Sequence, residues 1–187
     1  MTTTVPQHRN TVTDEVVLLD AAGRPCGTAP RESIHSTDTP LHLAFSCYLF
    51  DTDGLVLMTR RALTKRSWPG VWTNSFCGHP RPGESVTDAA HRHALAELGV
   101  TLEQVEVVLP GFRYRATDAH GTVENEMCPV LVATTRDRVV PDPAEVVEHA
   151  WVPTTDLGRL VSTAPWAVSP WSAQQVRLLA DLIGGPE

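Results

Sequence analysis

The segment Ser85 to Leu98 carries both ends of a helix in its own sequence. Ser85 supplies an N-cap hydroxyl, Asp88 stands where the acid of a capping box belongs, and Gly99 follows the last turn. Strand-like segments surround it. Glu15 to Asp20 is one, closed by the turn at Ala21 to Arg24. Leu43 to Phe50 reads as a buried strand, Asp51-Thr52-Asp53-Gly54 as a hairpin turn, and Leu55 to Arg60 as the return strand. Gly111 to Ala116 and Val123 to Thr134 read as strands, and Glu145 to Val152 as another. Thr155 to Val161 and Ser172 to Ile183 read as helices. This mixture predicts an α/β sandwich, with a mixed central sheet and helices on its faces.

The 187 residues are enough for one domain, predicted over 11–187 behind a flexible tail at 1–10. Hydrophobic residues make up 42% of the chain, enough for a packed core. The net charge of −7 argues against a nucleic-acid partner. The polar start has no apolar stretch of the signal-peptide kind, and no run reaches membrane-span length. These features predict a cytoplasmic protein. The four cysteines, Cys26, Cys47, Cys77 and Cys128, lack CxxC spacing and read as free thiols; Cys26, Cys47 and Cys128 read as small buried hydrophobes.

Chemistry concentrates in Thr73-Asn74-Ser75-Phe76-Cys77-Gly78-His79-Pro80. Its glycine and proline predict a shaped loop. A cysteine beside a glycine and a histidine points either to a metal site or to a thiol whose proton is used. Glu124 and Glu126 stand two apart on a predicted strand and so share a face. Two adjacent carboxylates repel unless a cation or proton intervenes. With His35, His42 and His79 they form a set suited to a divalent metal with N/O ligands, such as Mn²⁺, Mg²⁺ or Zn²⁺. The run Arg60 to Arg66 is basic in an acidic chain and precedes the Trp68-Pro69-Gly70 turn, a placement suited to a small polyanion.

Taken in order, these motifs resemble the type I isopentenyl diphosphate isomerases of the Nudix-like superfamily. The resemblance runs from Val16 to about Trp171. It implies a Nudix-like α/β/α sandwich that interconverts isopentenyl and dimethylallyl diphosphate through a tertiary carbocation. It implies Cys77, Glu126, Tyr114 and Trp171 as catalytic groups, with Trp171 facing the cation. Its metal ligands match His35, His42, His79, Glu124 and Glu126, for one tightly bound divalent ion. Glu97 would help hold a Mg²⁺ that arrives with the substrate diphosphate. Arg61 and Lys65 match diphosphate contacts. Arg31 stands where relatives can carry lysine, and His93 where they can carry a diphosphate-binding arginine. The partner implied is a small diphosphate, to a chain that is a monomer or weak homodimer.

A different class stays open, a Nudix-type diphosphatase. Gly78, Glu84, Arg92, Glu97 and Gly99 keep the frame of a Nudix box. His93 and Ala96, however, replace two of its carboxylates. Those carboxylates hold the cations that activate water, so their loss argues against hydrolysis. A metal-stabilised binding module without turnover is the third reading.

Overall fold

A computed structural model describes residues 14–180. The predicted tail at 1–10 and the end of the last predicted helix, including Ile183, lie outside these residues. The strands in chain order are β1 (Glu15–Leu19), β2 (Pro25–Pro30), β3 (His42–Leu43), β4 (Phe45–Phe50), β5 (Val56–Arg61), β6 (Trp72–Thr73) and β7 (Phe76–Gly78). Helix α1 (Val86–His93) follows, then β8 (Glu103–Leu109), β9 (Arg113–Thr117), β10 (Val123–Met127), β11 (Val130–Thr134) and β12 (Val146–Val152), and finally α2 (Thr154–Thr163) and α3 (Pro170–Leu179).

The strands form two mixed sheets. The larger has the order β12-β5-β4-β11-β8, with β6 on β5 and β7 on β4. The smaller has the order β2-β1-β3-β10-β9. Each contains one parallel pair, β4 with β11 and β3 with β10.

Strand β4 explains the layering. Phe45, Cys47 and Leu49 pack with Ala89, Ala90, Ala94 and Leu98 on one side. Tyr48 packs with Val161, Ala173, Val176 and Leu179 on the other. A strand covered on both faces reads as a continuous apolar run, which is how Leu43 to Phe50 reads. The alanines of α1 leave no bulk between helix and sheet. Ser85 caps α1 as expected: its Oγ accepts from the Asp88 N–H at 3.1 Å and its hydroxyl donates to the Asp88 carboxylate at 2.7 Å. The helix widens into a π turn over Ala94–Leu98 and ends on Gly99, whose φ of 68° suits a residue without Cβ.

Three expectations need correction. Val123 to Thr134 is two strands, not one, because the chain breaks at Cys128-Pro129 and crosses between sheets. A proline cannot donate to a ladder, and this one marks the crossing. Cys77 lies on a short strand, β7, opposite Ser46 of β4, and not in a loop. Cys26 is exposed on β2, so it is no core residue. Among the described residues no helix is long and apolar enough to cross a membrane.

Candidate active site

The parallel pairing of β3 with β10 sets His42 beside Glu126, and the antiparallel pairing of β10 with β9 sets Glu126 beside Tyr114. Strand β7 adds Cys77 and leads into His79. Cys77, His79, Tyr114 and Glu126 line a cavity of about 520 Å³ whose wall also includes Arg61, Lys65, His93, Glu97 and Trp171, while His42 is fully buried.

One imidazole nitrogen from each of His35, His42 and His79 and one Glu126 oxygen lie within 4.8 Å of one another. His42 Nδ1 is 2.9 Å from the Pro40 carbonyl. A carbonyl only accepts, so Nδ1 carries a hydrogen, and in the neutral ring Nε2 presents its lone pair inward. That Nε2 is 3.2 Å from His79 Nε2 and 3.4 Å from Glu126 Oε1. His35 Nε2 and Glu124 Oε2 stand 2.8 Å apart, yet both are buried without a hydrogen-bond partner. Buried polar atoms rarely go unsatisfied. Imidazole lone pairs converging with carboxylate oxygens fit a divalent cation with N/O ligands. Glu124 stands beside His35 at the edge of this cluster, and its other oxygen accepts from the Ser67 hydroxyl.

Glu126 is pulled two ways. Burial raises its pKa, but the hydrogen bonds and charges of His42 and His79 outweigh this and hold the carboxyl well below its usual range. The Tyr114 hydroxyl donates to its Oε2 at 2.9 Å. Burial, then the charges of Glu126 and Glu124, push the Tyr114 phenol up. Burial also pushes the Cys77 thiol up to about 11, against the hydrogen bond with Ser46. Both Tyr114 and Cys77 therefore hold their protons at neutral pH.

Trp171 opens helix α3 and is buried. Its indole N–H donates to Asn74 Oδ1 at 3.0 Å, and Trp68 meets it edge-on at 5.3 Å. Trp68 itself has φ 44°, a strained value for a bulky side chain, next to this pocket wall. The Arg61 guanidinium lies 5.5 Å from the Trp171 ring centre.

The cationic residues are committed to different degrees. Arg61 donates to the Ser67 carbonyl at 2.9 and 3.1 Å. Lys65 pairs with Glu145, and Arg31 with Asp14. His93 Nδ1 is 2.5 Å from Glu97 Oε1, while its Nε2 is buried without a partner. The His93 ring fills the space in which a Cβ on Gly78 would sit, 2.5 Å away, so a side chain at position 78 would force this ring to move.

Sequence reasoning passed over several supporting residues. Arg92 donates to Glu84 at 2.6 and 2.8 Å and to the His79 carbonyl at 3.1 Å, tying α1 to the histidine segment. Both belong to the box frame, which was the available signal. Ser46, Asn74 and Gln175 form a buried polar group behind Cys77. Nothing in the local sequence of Ser46 or Gln175 marks them.

The fold and site define a NUDIX domain, whose family model matches residues 40–179. Among solved structures, DR0079 from Deinococcus radiodurans superposes with a TM-score of 0.65 at 19% identity, covering 88% of this chain and 98% of that one. That likeness is of fold. An isopentenyl-diphosphate Delta-isomerase from Clavibacter sepedonicus is 57% identical over 175 residues, 94% of this chain and 90% of that protein. One from Frankia alni is 59% identical over 165 residues, 88% of this chain and 85% of that protein. The chain belongs to the isopentenyl-diphosphate Delta-isomerase family.

Proposed function

We propose that this protein interconverts isopentenyl diphosphate and dimethylallyl diphosphate for isoprenoid biosynthesis, in the cytoplasm. The observation that carries the reading is the delivery of two proton-bearing groups to one cavity from separate strands: the Cys77 thiol from β7, and the Tyr114–Glu126 pair from β9 and β10.

The reaction moves a double bond along a five-carbon chain. The alkene electron pair takes a proton at the terminal carbon, which leaves a tertiary cation. A C–H bond on the carbon next to the cation, on the diphosphate side, then gives up its proton, and its electron pair becomes the new double bond. An unactivated alkene needs an acid held close, a base on the other side, and exclusion of water that would trap the cation. Cys77 and the Tyr114–Glu126 pair supply the two proton carriers. The reaction is reversible, so each is donor in one direction and acceptor in the other. The Trp171 ring offers a π face to the positive carbon.

His35, His42, His79, Glu124 and Glu126 would hold one divalent ion, Mn²⁺, Mg²⁺ or Zn²⁺. When bound, that ion supplies positive charge that fixes the carboxylate and tunes its acidity. Glu97, with a Mg²⁺ carried by the diphosphate, and Arg31, Arg61, Lys65 and His93 would anchor the polar end of the substrate. Arg31, Arg61, Lys65 and His93 all line the cavity in an otherwise acidic protein, which supports a small polyanion as ligand. The chain acts as a monomer or weak homodimer, as a single domain over 11–187, with no nucleic-acid or membrane partner.

The test is product analysis. Dimethylallyl diphosphate should form from isopentenyl diphosphate, detected by proton NMR, without phosphate release. Release of inorganic phosphate from nucleoside diphosphate compounds, with no isomerised product, would replace this reading by a diphosphatase.

A further inference from the structure

Behind Cys77 lies a chain of buried polar side chains that the proton-transfer scheme does not use. Ser46 and Cys77 face each other across β4 and β7, and Ser46 Oγ is 3.3 Å from Cys77 Sγ. Gln175 Nε2 donates to Ser46 Oγ at 2.9 Å, while Gln175 Oε1 accepts from the Tyr48 hydroxyl at 3.1 Å. Ser46, Gln175 and Asn74 have no exposure to solvent.

The Gln175 amide oxygen faces the Tyr48 hydroxyl and its nitrogen donates to Ser46. A hydroxyl that accepts from Gln175 has its own hydrogen left to give, and among the described residues it reaches two sulphurs, Cys77 and Cys128, each 3.3 Å away. The orientation of Asn74 is set by its own neighbours. Its Nδ2 faces the carbonyls of Cys47 and Phe76 at 3.1 and 2.8 Å, and both carbonyls can only accept. Its Oδ1 therefore faces Cys77 Sγ at 3.3 Å, beside the Trp171 N–H. The sulphur thus lies between one acceptor and one donor.

We propose that Asn74 and Ser46, the latter oriented by Gln175, are positioning residues for the Cys77 sulphur. This rests on the reading of Cys77 as a proton carrier. When the sulphur holds its proton, Asn74 Oδ1 accepts the S–H. When the sulphur has given that proton to a substrate carbon, the Ser46 hydroxyl donates to the thiolate. In the reverse sense the thiolate takes a proton from carbon, the C–H pair becomes the double bond, and the S–H returns to Asn74. Neither residue exchanges a proton with the substrate. Asn74 also carries Trp171, so one amide aligns the sulphur and the indole against the same substrate.

The experiment compares Ser46→Ala, Gln175→Met and the double variant, with Cys77→Ala as control, by kcat, KM and melting temperature. A hydrogen bond to a charged partner corresponds to about 10- to 100-fold in rate. Ser46→Ala should lose kcat by about that factor with KM within about twofold, because the bond is made to the sulphur and not to the diphosphate. The double variant should be no slower than the slower single one, since Gln175 acts only through Ser46. Should Ser46→Ala not fold, Gln175→Met carries the same prediction of a kcat loss at constant KM. Normal kcat in these variants beside an inactive Cys77→Ala would overturn the proposal and leave the role of Cys77 intact. Losses that add up and follow the melting temperature would overturn it too. An active Cys77→Ala would remove both the proposal and the reading beneath it.

Discussion

The Tyr114 hydroxyl donates a hydrogen bond to Glu126 Oε2 at 2.9 Å, between residues that face each other directly across β9 and β10. Strand register alone creates this pair, and it is buried. The phenol keeps its proton because burial and the neighbouring carboxylates oppose its ionisation. Tyr114→Phe keeps the ring and removes that donor. Turnover should fall by about 10- to 100-fold with little change in KM, the cost of losing a hydrogen bond to a charged group. Steady-state kinetics decides this, and an unchanged kcat would reduce Tyr114 to packing.

Trp171 offers a cleaner comparison than most aromatic residues. Both Trp171→Phe and Trp171→Leu lose the N–H bond to Asn74, so the difference between them isolates the π face. If the ring stabilises a cation, phenylalanine should retain more activity than leucine at equal melting temperature. Cation–π attraction reaches about 2 kcal/mol in a dry site, or roughly 30-fold in rate. Equal activity of the two variants would assign Trp171 to packing alone.

The histidine cluster makes a prediction that needs no assay of turnover. Elemental analysis of the purified protein should find about one divalent ion per chain, with the content sharply reduced in His42→Ala and His79→Ala. Imidazoles must be neutral to bind, so retention should fall as pH drops. Burial holds the His79 pKa below its usual value, whereas at His42 burial is outweighed by the hydrogen bond and charge of Glu126, which raise it, so His42 protonates before His79 as pH falls. Undiminished metal in both variants would exclude this ligand set.

Glu84 links stability to pH. Its pKa is lowered, chiefly by the hydrogen bonds from Arg92, with burial opposing. A carboxyl whose folded pKa lies below its unfolded one contributes stability above the unfolded value and loses it as pH falls through the folded value. Wild type should therefore begin to lose this contribution below about pH 4.5, the ordinary glutamate range, and lose it fully below the lowered folded value. Glu84→Gln should be less stable at neutral pH by about 1–2 kcal/mol, allowing for partial exposure of the pair, and the gap should close in acid. Urea unfolding at pH 7 and pH 4 measures it. An equal gap at both would show that the Glu84 charge does not matter.

How far the sequence revealed this arrangement depends on distance along the chain. Local signals carried well. The Ser85 cap, the Gly99 terminus and the Asp51-Gly54 turn lie where their chemistry demands, because each is settled by contacts within a few residues. The shared face of Glu124 and Glu126 followed from strand period alone, and both are buried. Strand β8 was missed although Val105 and Val107 alternate with polar residues and pack on the core. Strand β2 had no such signal, since it is nearly all exposed and begins and ends in proline. The division at Cys128-Pro129 was hidden because apolar residues continue on its far side. What stayed out of reach was long-range. The Gln175–Ser46 bond spans 129 positions, and only the packing of α3 against β4 creates it.

The central claim is that Cys77 and the Tyr114–Glu126 pair move protons on and off a carbon skeleton. The most direct measurement is incubation with isopentenyl diphosphate in D₂O, followed by NMR of wild type and Cys77→Ala. Wild type should yield dimethylallyl diphosphate carrying deuterium at carbon, since the proton carriers exchange with solvent between turnovers. Cys77→Ala should remain folded and turn over at least about a thousandfold more slowly, as loss of an essential proton-transfer group requires. Product formed by wild type without deuterium, or near-normal turnover by Cys77→Ala, would contradict the account.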